Sequence, residues 1–250
     1  MRSSIAPLDR AASSASSSRG ILGERFGLGL LALAGLSMAA ALFAALVYAP
    51  GERLQGDVQR IFYFHVPLAW TAYLAFTVVA IASAAYLVKT LPIFDAVARA
   101  SAEVGLLLTT LMLISGSLWA RPIWGTWWTW DARLTTTLLL WFIYVGYLML
   151  RGSIDDERRA ARYAAVIGII GAIDMPIVHQ SVVWWRSLHP ESVVGAPGGP
   201  AMPATMLNAL IVSLIAFTVL YLVLLLFRLR LELARADLRA VRRRILERVA

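Results

Sequence analysis

The chain contains three histidines, and the positions of two of them suggest a shared site. His65 stands at the start of a long apolar run, and His189 follows the paired tryptophans Trp184 and Trp185 in a loop. A lone histidine more often makes a hydrogen bond than binds a metal, but two at one membrane surface, each near a tryptophan, can supply both axial bonds of a haem iron. The sequence therefore predicts His65 and His189 as metal ligands, and Trp184 and Trp185 as further residues of the same cofactor site.

The third histidine, His179, lies inside a later apolar run, near Asp174 and Pro176. A polar residue within a membrane span usually faces the interior of the helix bundle and finds a partner there. We interpret His179 as such a structural residue, with a supporting role near the site as the alternative. Pro176 removes a backbone donor one turn earlier and is predicted to kink or loosen the helix.

A loop rich in tryptophan lies between the two predicted ligands. Five of the nine tryptophans fall within a short stretch: Trp119, Trp124, Trp127, Trp128 and Trp130. Single tryptophans commonly anchor a protein at the lipid headgroups, but five so close together exceed what anchoring requires. They are predicted to form a flat aromatic platform for a large planar ligand, packed around Gly125. Asp131 would tie down this loop through an indole N–H, a backbone amide or Arg133.

Three arginines flank the tryptophans and the second histidine: Arg121, Arg133 and Arg186. A guanidinium can pair with a carboxylate through two parallel hydrogen bonds, and haem carries two propionates. Binding to lipid phosphates is the alternative role for each arginine. The three arginines together are a better candidate for propionate binding than any one of them alone.

The elements that must position these residues are membrane helices. Apolar residues make up 60% of the chain and charged residues 15%, which is far from the balance of a soluble domain. About 20 apolar residues cross a bilayer as a helix. The sequence has six such runs, at about Phe26 to Tyr48, Val66 to Val88, Ala100 to Ala120, Leu134 to Leu150, Tyr163 to Val183 and Ala204 to Phe227. They predict an all-α integral membrane protein with six transmembrane helices, since a β-barrel would show short alternating segments. The chain has no cysteine, which excludes thiolate metal sites and haem attachment to a cysteine motif of its own.

Lysine and arginine are distributed unequally between the loops of the two sides. Alternating the six spans across the membrane places 18 of the 23 basic residues on one side and 5 on the other. Because basic loops stay in the cytoplasm, both termini are predicted to be cytoplasmic and the tryptophan-rich loop to face the periplasm. The net charge of +8 therefore follows from topology and gives no indication of nucleic-acid binding.

Two segments flank the predicted membrane domain, residues 26–227. Residues 1–25 contain seven serines interleaved with alanine and are predicted to be a disordered cytoplasmic tail. Residues 228–250 carry small or apolar residues at three- and four-residue steps with arginines between them. This pattern predicts a basic amphipathic cytoplasmic helix, which would lie along anionic headgroups or dock onto a partner.

The run from Trp124 to Thr135 resembles the WWD signature of membrane proteins that handle haem in cytochrome c biogenesis. His65-Val66-Pro67 with Trp70, and the segment from Ser181 to His189, resemble the two histidine motifs of the CcmC family, in matching order around the WWD loop. With the six spans, the resemblance covers about residues 26–227.

The resemblance implies that His65 and His189 are axial ligands of non-covalently bound haem b and that the WWD loop forms its platform. It implies delivery of haem, at the periplasmic face of the bacterial inner membrane, to the haem chaperone CcmE. It also implies the ABC-transporter subunits CcmA and CcmB and the small membrane protein CcmD as partners. Many family members have glutamine after the second histidine, where this chain has Pro190, which offers no side-chain amide for a contact with the ligand.

Other functions stay open at the level of sequence. A CcsA-type haem lyase shares the WWD loop but has more spans, although assistance to haem attachment would be a lyase-like activity. A b-type electron carrier usually takes its ligands from inside the spans, and a solute permease would have more polar residues at mid-span. The length of 250 residues and the single pair of outer histidines favour a haem delivery subunit without turnover of its own.

Overall fold

A computed structural model of the chain describes residues 8–185, 187–190 and 202–249. Within these residues the protein consists of six long helices, with a π-helical turn after the first and a 3-10 turn before the second. The helices are α1 (Leu8–Phe43), α2 (Phe62–Lys89), α3 (Pro92–Trp124), α4 (Ala132–Ser153), α5 (Glu157–Trp184) and α6 (Ala204–Val249). Each is long and apolar enough to cross a membrane, so the predicted six-span all-α fold is confirmed.

The helices extend beyond the predicted apolar windows, because local capping residues and not hydropathy set their ends. Pro92 is the first residue of α3, where its missing N–H leaves no helical hydrogen bond unmade. Gly125 ends the same helix in the left-handed conformation, with φ 75°, and its N–H bonds to the carbonyl of Arg121. A side chain at Gly125 would meet nothing within 4 Å. This glycine is therefore needed for the helix end, and the predicted close packing of rings around it is wrong.

The first and last helices are longer than the sequence predicts. Helix α1 begins at Leu8, so residues 8–25, predicted as part of a disordered tail, have helical backbone, while residues 1–7 lie outside the described part of the chain. Alanine has the highest helix propensity, which favours continuation of the helix into this segment. Helix α6 runs without interruption past Phe227 to Val249. The basic C-terminal segment therefore continues the last span.

Close contacts at two glycines bring the central helices together. A Cβ atom at Gly105 would lie 2.8 Å from the ring of Phe76, and one at Gly171 would lie 2.8 Å from the ring of Tyr144. The rings of Phe76 and Tyr144 stack on each other with centroids 3.7 Å apart. Small residues at helix interfaces allow the backbones to approach, which is the main source of packing energy between helices in lipid. These contacts join α2 to α3 and to α4, and α4 to α5. Helix α2 also contacts α5 and α6.

Ion pairs fasten one end of the bundle. They are Asp95 with Arg151, Glu103 with Arg228, Glu232 with Arg99 and Arg228, and Glu157 with Arg239. The carboxylate of Glu232 is buried, and it lies 2.9 Å from the guanidinium of Arg99 on α3. These pairs attach the C-terminal part of α6 to α3 and to the start of α5.

Candidate functional site

A cavity of about 1000 Å³ lies at the other end of the bundle. The loops between α1 and α2, between α3 and α4 and between α5 and α6 all contribute to its wall, and so do helices α2 to α6. The wall is mainly apolar and carries a few polar side chains, as in sites that bind small molecules and cofactors. Both predicted ligands, His65 and His189, line this cavity.

His65 lies one turn into α2, and its ring packs against α3. Its Nδ1 atom is 3.1 Å from the hydroxyl oxygen of Ser115, and a Cβ atom at Gly116 would lie 2.9 Å from its Cε1 atom. The ring of Trp119 meets it edge-on, with centroids 6.0 Å apart. The indole N–H of Trp119 in turn donates to the side chain of Gln55 in the first loop. His65 is thus held on three sides by named neighbours.

His189 lies in the loop after α5, opposite the start of α4. Its backbone N–H donates to the hydroxyl of Ser187, and its ring meets Trp124 edge-on at 6.4 Å. Its Nδ1 atom is 3.1 Å from Nη1 of Arg133 and 3.0 Å from the carbonyl oxygen of Pro190. Burial, followed by the positive charge of Arg133, lowers the pKa of His189, which favours the neutral imidazole that binds metals.

The two contacts of the His189 Nδ1 atom require opposite protonation. Arg133 can only donate, so its contact is a hydrogen bond when Nδ1 carries a lone pair. The Pro190 carbonyl can only accept, so its contact is a hydrogen bond when Nδ1 carries the proton. Although Pro190 lacks a side-chain amide, its main chain therefore provides an acceptor for the second histidine.

The five clustered tryptophans, of which Trp119 and Trp124 lie at the end of α3 and the others in the loop after it, divide into two groups. Trp119, Trp124 and Trp128 line the cavity, whereas Trp127 and Trp130 lie outside its wall and are 55% and 76% exposed. The rings of Trp128 and Trp130 are inclined at 78° to each other. The tryptophans therefore do not form the single flat platform that the sequence predicts, because successive side chains of an irregular loop point in different directions. The indole N–H of Trp128 is buried and makes no hydrogen bond within the described part of the chain.

The remaining predicted site residues, except Arg133, either do not line the cavity or lie outside the residues that the structure describes. Trp184 and Trp185 are exposed, pack edge-on against each other and do not line the cavity. The guanidinium of Arg121 lies 6.0 Å from the centre of the Trp127 ring, also outside the wall. Arg133 does line the cavity, and Arg186 lies outside the described residues. Arg133 is therefore the one predicted arginine, among those described, that reaches the site.

Asp131 joins two of the loops around the cavity. It is the N-cap of α4 and accepts a hydrogen bond from the backbone N–H of Leu134 at 2.9 Å. A backbone amide is one of the partners that the sequence suggests for Asp131. Its second carboxylate oxygen accepts from the hydroxyl of Ser187, also at 2.9 Å, and this link to the loop of His189 was not predicted.

His179 is exposed and lines the cavity, so its interpretation as a paired residue of the bundle interior is wrong. The cavity occupies the space where a neighbouring helix would otherwise supply a partner. The backbone carbonyl of His179 lies 3.4 Å from Nη2 of Arg133. Asp174, one turn earlier on α5, takes the buried position instead.

Sequence reasoning missed Ser115 and Gly116, which contact His65 from α3. Ser115 precedes Trp119 by four residues, so both fall on one helix face, and this spacing was the available signal. It also missed Gln55 and Ser187, which lie in loops without a periodic pattern.

Comparisons with known proteins show the family of the chain. The family model described as Heme exporter protein C, CcmC, matches residues 13–244. Heme exporter protein C of Bradyrhizobium diazoefficiens is 43% identical over 193 residues, which is 77% of this chain and 73% of the relative. The protein of the same name from Haemophilus influenzae is 38% identical over 192 residues, 77% of this chain and 78% of the relative. The match extends over most of the chain, and the protein therefore belongs to the Heme exporter protein C family, CcmC.

Proposed function

We propose that this protein binds haem b non-covalently in the cavity and delivers it to the haem chaperone CcmE during cytochrome c maturation. The observation that carries the proposal is that His65 and His189, from different parts of the chain, line one cavity. Membership in the CcmC family supports haem as the cargo. On this proposal the protein holds and presents haem and does not catalyse a reaction by itself.

The residues of the cavity fit such a cargo. The imidazoles of His65 and His189 would supply nitrogen ligands to the iron, and the apolar wall suits the faces of a porphyrin. Arg133 lies within the wall, where its guanidinium can pair with a propionate. The unpaired indole N–H of Trp128 is a further donor for a carboxylate. Bound haem would supply an iron that accepts nitrogen lone pairs. The protein would supply the ligands, the apolar surface and the hydrogen-bond donors for the propionates.

Trp119 and Trp124 have equivalent roles in this proposal. Each meets one of the two histidines edge-on, Trp119 at His65 and Trp124 at His189. An aromatic neighbour restricts the rotation of an imidazole ring and so keeps its nitrogen directed at the site. The end of α3 would thus orient both ligands, while the WWD loop after it would contact the porphyrin.

We place the cavity at the periplasmic face of the bacterial inner membrane, with both termini in the cytoplasm, because of the unequal distribution of basic residues. The CcmA, CcmB and CcmD subunits are the proposed partners, as the family resemblance implies. Reporter fusions after Arg121 should be active in the periplasm, and fusions after Asp156 in the cytoplasm. A cytoplasmic reporter at Arg121 would contradict this orientation.

The optical spectrum of the purified protein tests the proposed ligands. The unsubstituted protein should show the spectrum of a low-spin haem with two axial nitrogen ligands. His65→Ala and His189→Ala should each lose it, and His179→Ala, which removes the third histidine of the same cavity wall, should largely keep it. Equal loss in His179→Ala would show that the wrong pair has been assigned.

Exogenous imidazole separates ligation from folding. A small ligand can occupy a vacated axial position but cannot repair a distorted helix. Partial recovery of the spectrum in both outer variants supports direct ligation by His65 and His189. Failure of recovery in both, at unchanged protein levels, would refute it. Transfer of haem to purified CcmE then tests delivery, and a bound haem that exchanges electrons but never transfers would favour an electron carrier.

A further inference from the structure

We propose that Ser115 and Gly116 of α3 are positioning residues that hold His65 ready to bind iron before haem arrives. Together they would fix the proton of the imidazole on Nδ1 and leave the lone pair of Nε2 free at the cavity. This inference rests on the proposed function, in which His65 is an axial ligand. It goes further by naming the residues that select its tautomer and by making the two ligands unequal.

The first step concerns the single proton of the Ser115 hydroxyl. Its oxygen lies 3.0 Å from the backbone carbonyl oxygen of Met112, one turn earlier on α3. A carbonyl can only accept, so when the Ser115 hydroxyl directs its one proton to Met112, its oxygen can serve only as an acceptor for Nδ1 of His65, 3.1 Å away. In this arrangement, which we infer for the haem-free protein, Nδ1 of His65 carries the ring proton.

The second step concerns the other ring nitrogen. A neutral imidazole has one N–H, so a proton on Nδ1 leaves a lone pair on Nε2. Nε2 of His65 makes no hydrogen bond to the residues that the structure describes, and the side chain lines the cavity. Metal-binding histidines are commonly fixed by a hydrogen bond from the nitrogen that does not bind the metal. His65 already has this arrangement.

Gly116 is an independent observation for the same conclusion. A Cβ atom at this position would lie 2.9 Å from Cε1 of His65, closer than real contacts allow, and 3.5 Å from Nδ1. The missing side chain lets the imidazole approach α3 closely enough to reach Ser115. Any larger residue would push the ring away from its acceptor and toward the cavity.

His189 is held differently. Its Nδ1 atom faces both the donor Arg133 and the acceptor Pro190, so its surroundings are compatible with either tautomer. In contrast, the contact of His65 with Ser115 requires the proton on Nδ1 whenever the hydroxyl donates to the carbonyl of Met112. His65 is therefore the preset ligand of the pair, and His189 is the adjustable one.

Nitrogen-15 NMR of the haem-free, full-length protein tests the tautomer directly. The chain has only three histidines, so labelled imidazoles give three pairs of ring-nitrogen signals, and each pair can be assigned by its loss in a His→Gln variant. His65 should show a protonated Nδ1 and an unprotonated Nε2. Ser115→Ala should abolish this preference, and Ser115→Thr, which keeps the hydroxyl, should restore it.

Matched variants control for general effects. Ser117→Ala removes a hydroxyl from the cavity wall two residues along the same helix, without a bond to His65, and should leave the His65 signals unchanged. Gly116→Ala should shift them, whereas Gly146→Ala should not, because a Cβ atom at Gly146 meets nothing within 4 Å. Unchanged His179 and His189 signals show that a variant has folded.

Haem affinity gives the second measurement. Ser115→Ala should weaken binding by roughly 10- to 100-fold, the range known for residues that orient metal ligands. A protonated Nε2 on His65 in the haem-free protein, or normal tautomer and affinity in Ser115→Ala, would overturn the inference. If the NMR result is as expected but His65→Ala binds haem normally, the proposed function fails, while the selection of the tautomer by Ser115 stands.

Discussion

Nη1 of Arg133 lies 3.1 Å from Nδ1 of His189, and this contact is a hydrogen bond only when the imidazole proton is on Nε2. In that tautomer Nε2 has no lone pair for iron. A propionate that draws the guanidinium of Arg133 away would allow Nδ1 to donate to the Pro190 carbonyl instead. Arg133 would therefore link recognition of the carboxylate to the readiness of the second ligand.

This link predicts the state of His189 in haem-free protein. With Arg133 present, the nitrogen-15 spectrum should show a substantial fraction of His189 with its proton on Nε2. Arg133→Leu should move the proton to Nδ1, because Pro190 then provides the remaining contact. Arg121→Leu is the control, since Arg121 lies at the same end of the bundle without contacting a histidine. An identical His189 spectrum with and without Arg133 would contradict the prediction.

Trp128 and Trp130 provide a matched pair for testing the WWD loop. The indole N–H of Trp128 is buried without a partner, an unfavourable arrangement unless a bound ligand accepts from it. Trp128→Phe keeps an aromatic ring but removes this donor, and should weaken haem binding by about tenfold, as expected for loss of a hydrogen bond to a charged group. Trp130→Phe, at a residue that is 76% exposed, should change affinity by less than about twofold. If both substitutions changed haem affinity equally in a titration, Trp128 would be an interfacial anchor and not a donor to haem.

Asp131 and Ser187 should be coupled in stability, because their hydrogen bond joins the loops of Trp124 and His189. Asp131→Ala also removes the N-cap of α4 and should cost about 1–2 kcal/mol for that reason alone. The double variant should be more stable than the sum of the single variants predicts, by about 0.5–1.5 kcal/mol. Thermal unfolding in detergent measures all four proteins, and strict additivity would exclude the link between the loops.

Glu232 should be important for the stability of the opposite end. Its carboxylate is buried among the guanidinium groups of Arg99, Arg228 and Arg239. Glu232→Ala removes the partner that these groups share, while Arg99 and Arg228 keep Glu103 and Arg239 keeps Glu157, and should destabilise the protein by about 1.5–3 kcal/mol. Asp237→Ala removes an exposed acid from the same helix and should have an effect within about 0.5 kcal/mol. Similar unfolding midpoints for the two variants would show that the ion-pair network contributes little.

The sequence predicted the spans well because the length of an apolar run is a direct requirement of the bilayer. It also predicted that His65 and His189 lie at one site, because the order of spans and loops puts both residues on the same side of the membrane. It could not place Trp127 and Trp130 outside the cavity, because side-chain directions in an irregular loop have no period. The wrong interpretation of His179 has a related cause. Whether a polar residue of a span meets a helix or an open cavity depends on packing, which hydropathy does not encode.

The partners of the ligands were the hardest part to predict. Ser115 and His65 are 50 positions apart, and nothing in either local segment specifies the pair. The same holds for Gly116. A glycine within an apolar helix can serve several purposes, and only the close approach of the His65 ring in the structure shows which purpose applies here. The continuity of the predicted basic helix, residues 228–250, with the last span could not be seen in the sequence, since a change from apolar to basic composition marks a change of solvent and not a break in the helix.

The unbroken length of α6 has a mechanical consequence. Met206 lines the cavity near the start of this helix, and Arg239 is bound to Glu157 at the other end of the bundle, about 50 Å away at 1.5 Å per residue. A continuous helix transmits axial displacement with little internal strain. If another protein displaced the charged end of α6 along the helix axis, the wall of the cavity around Met206 would therefore move with it.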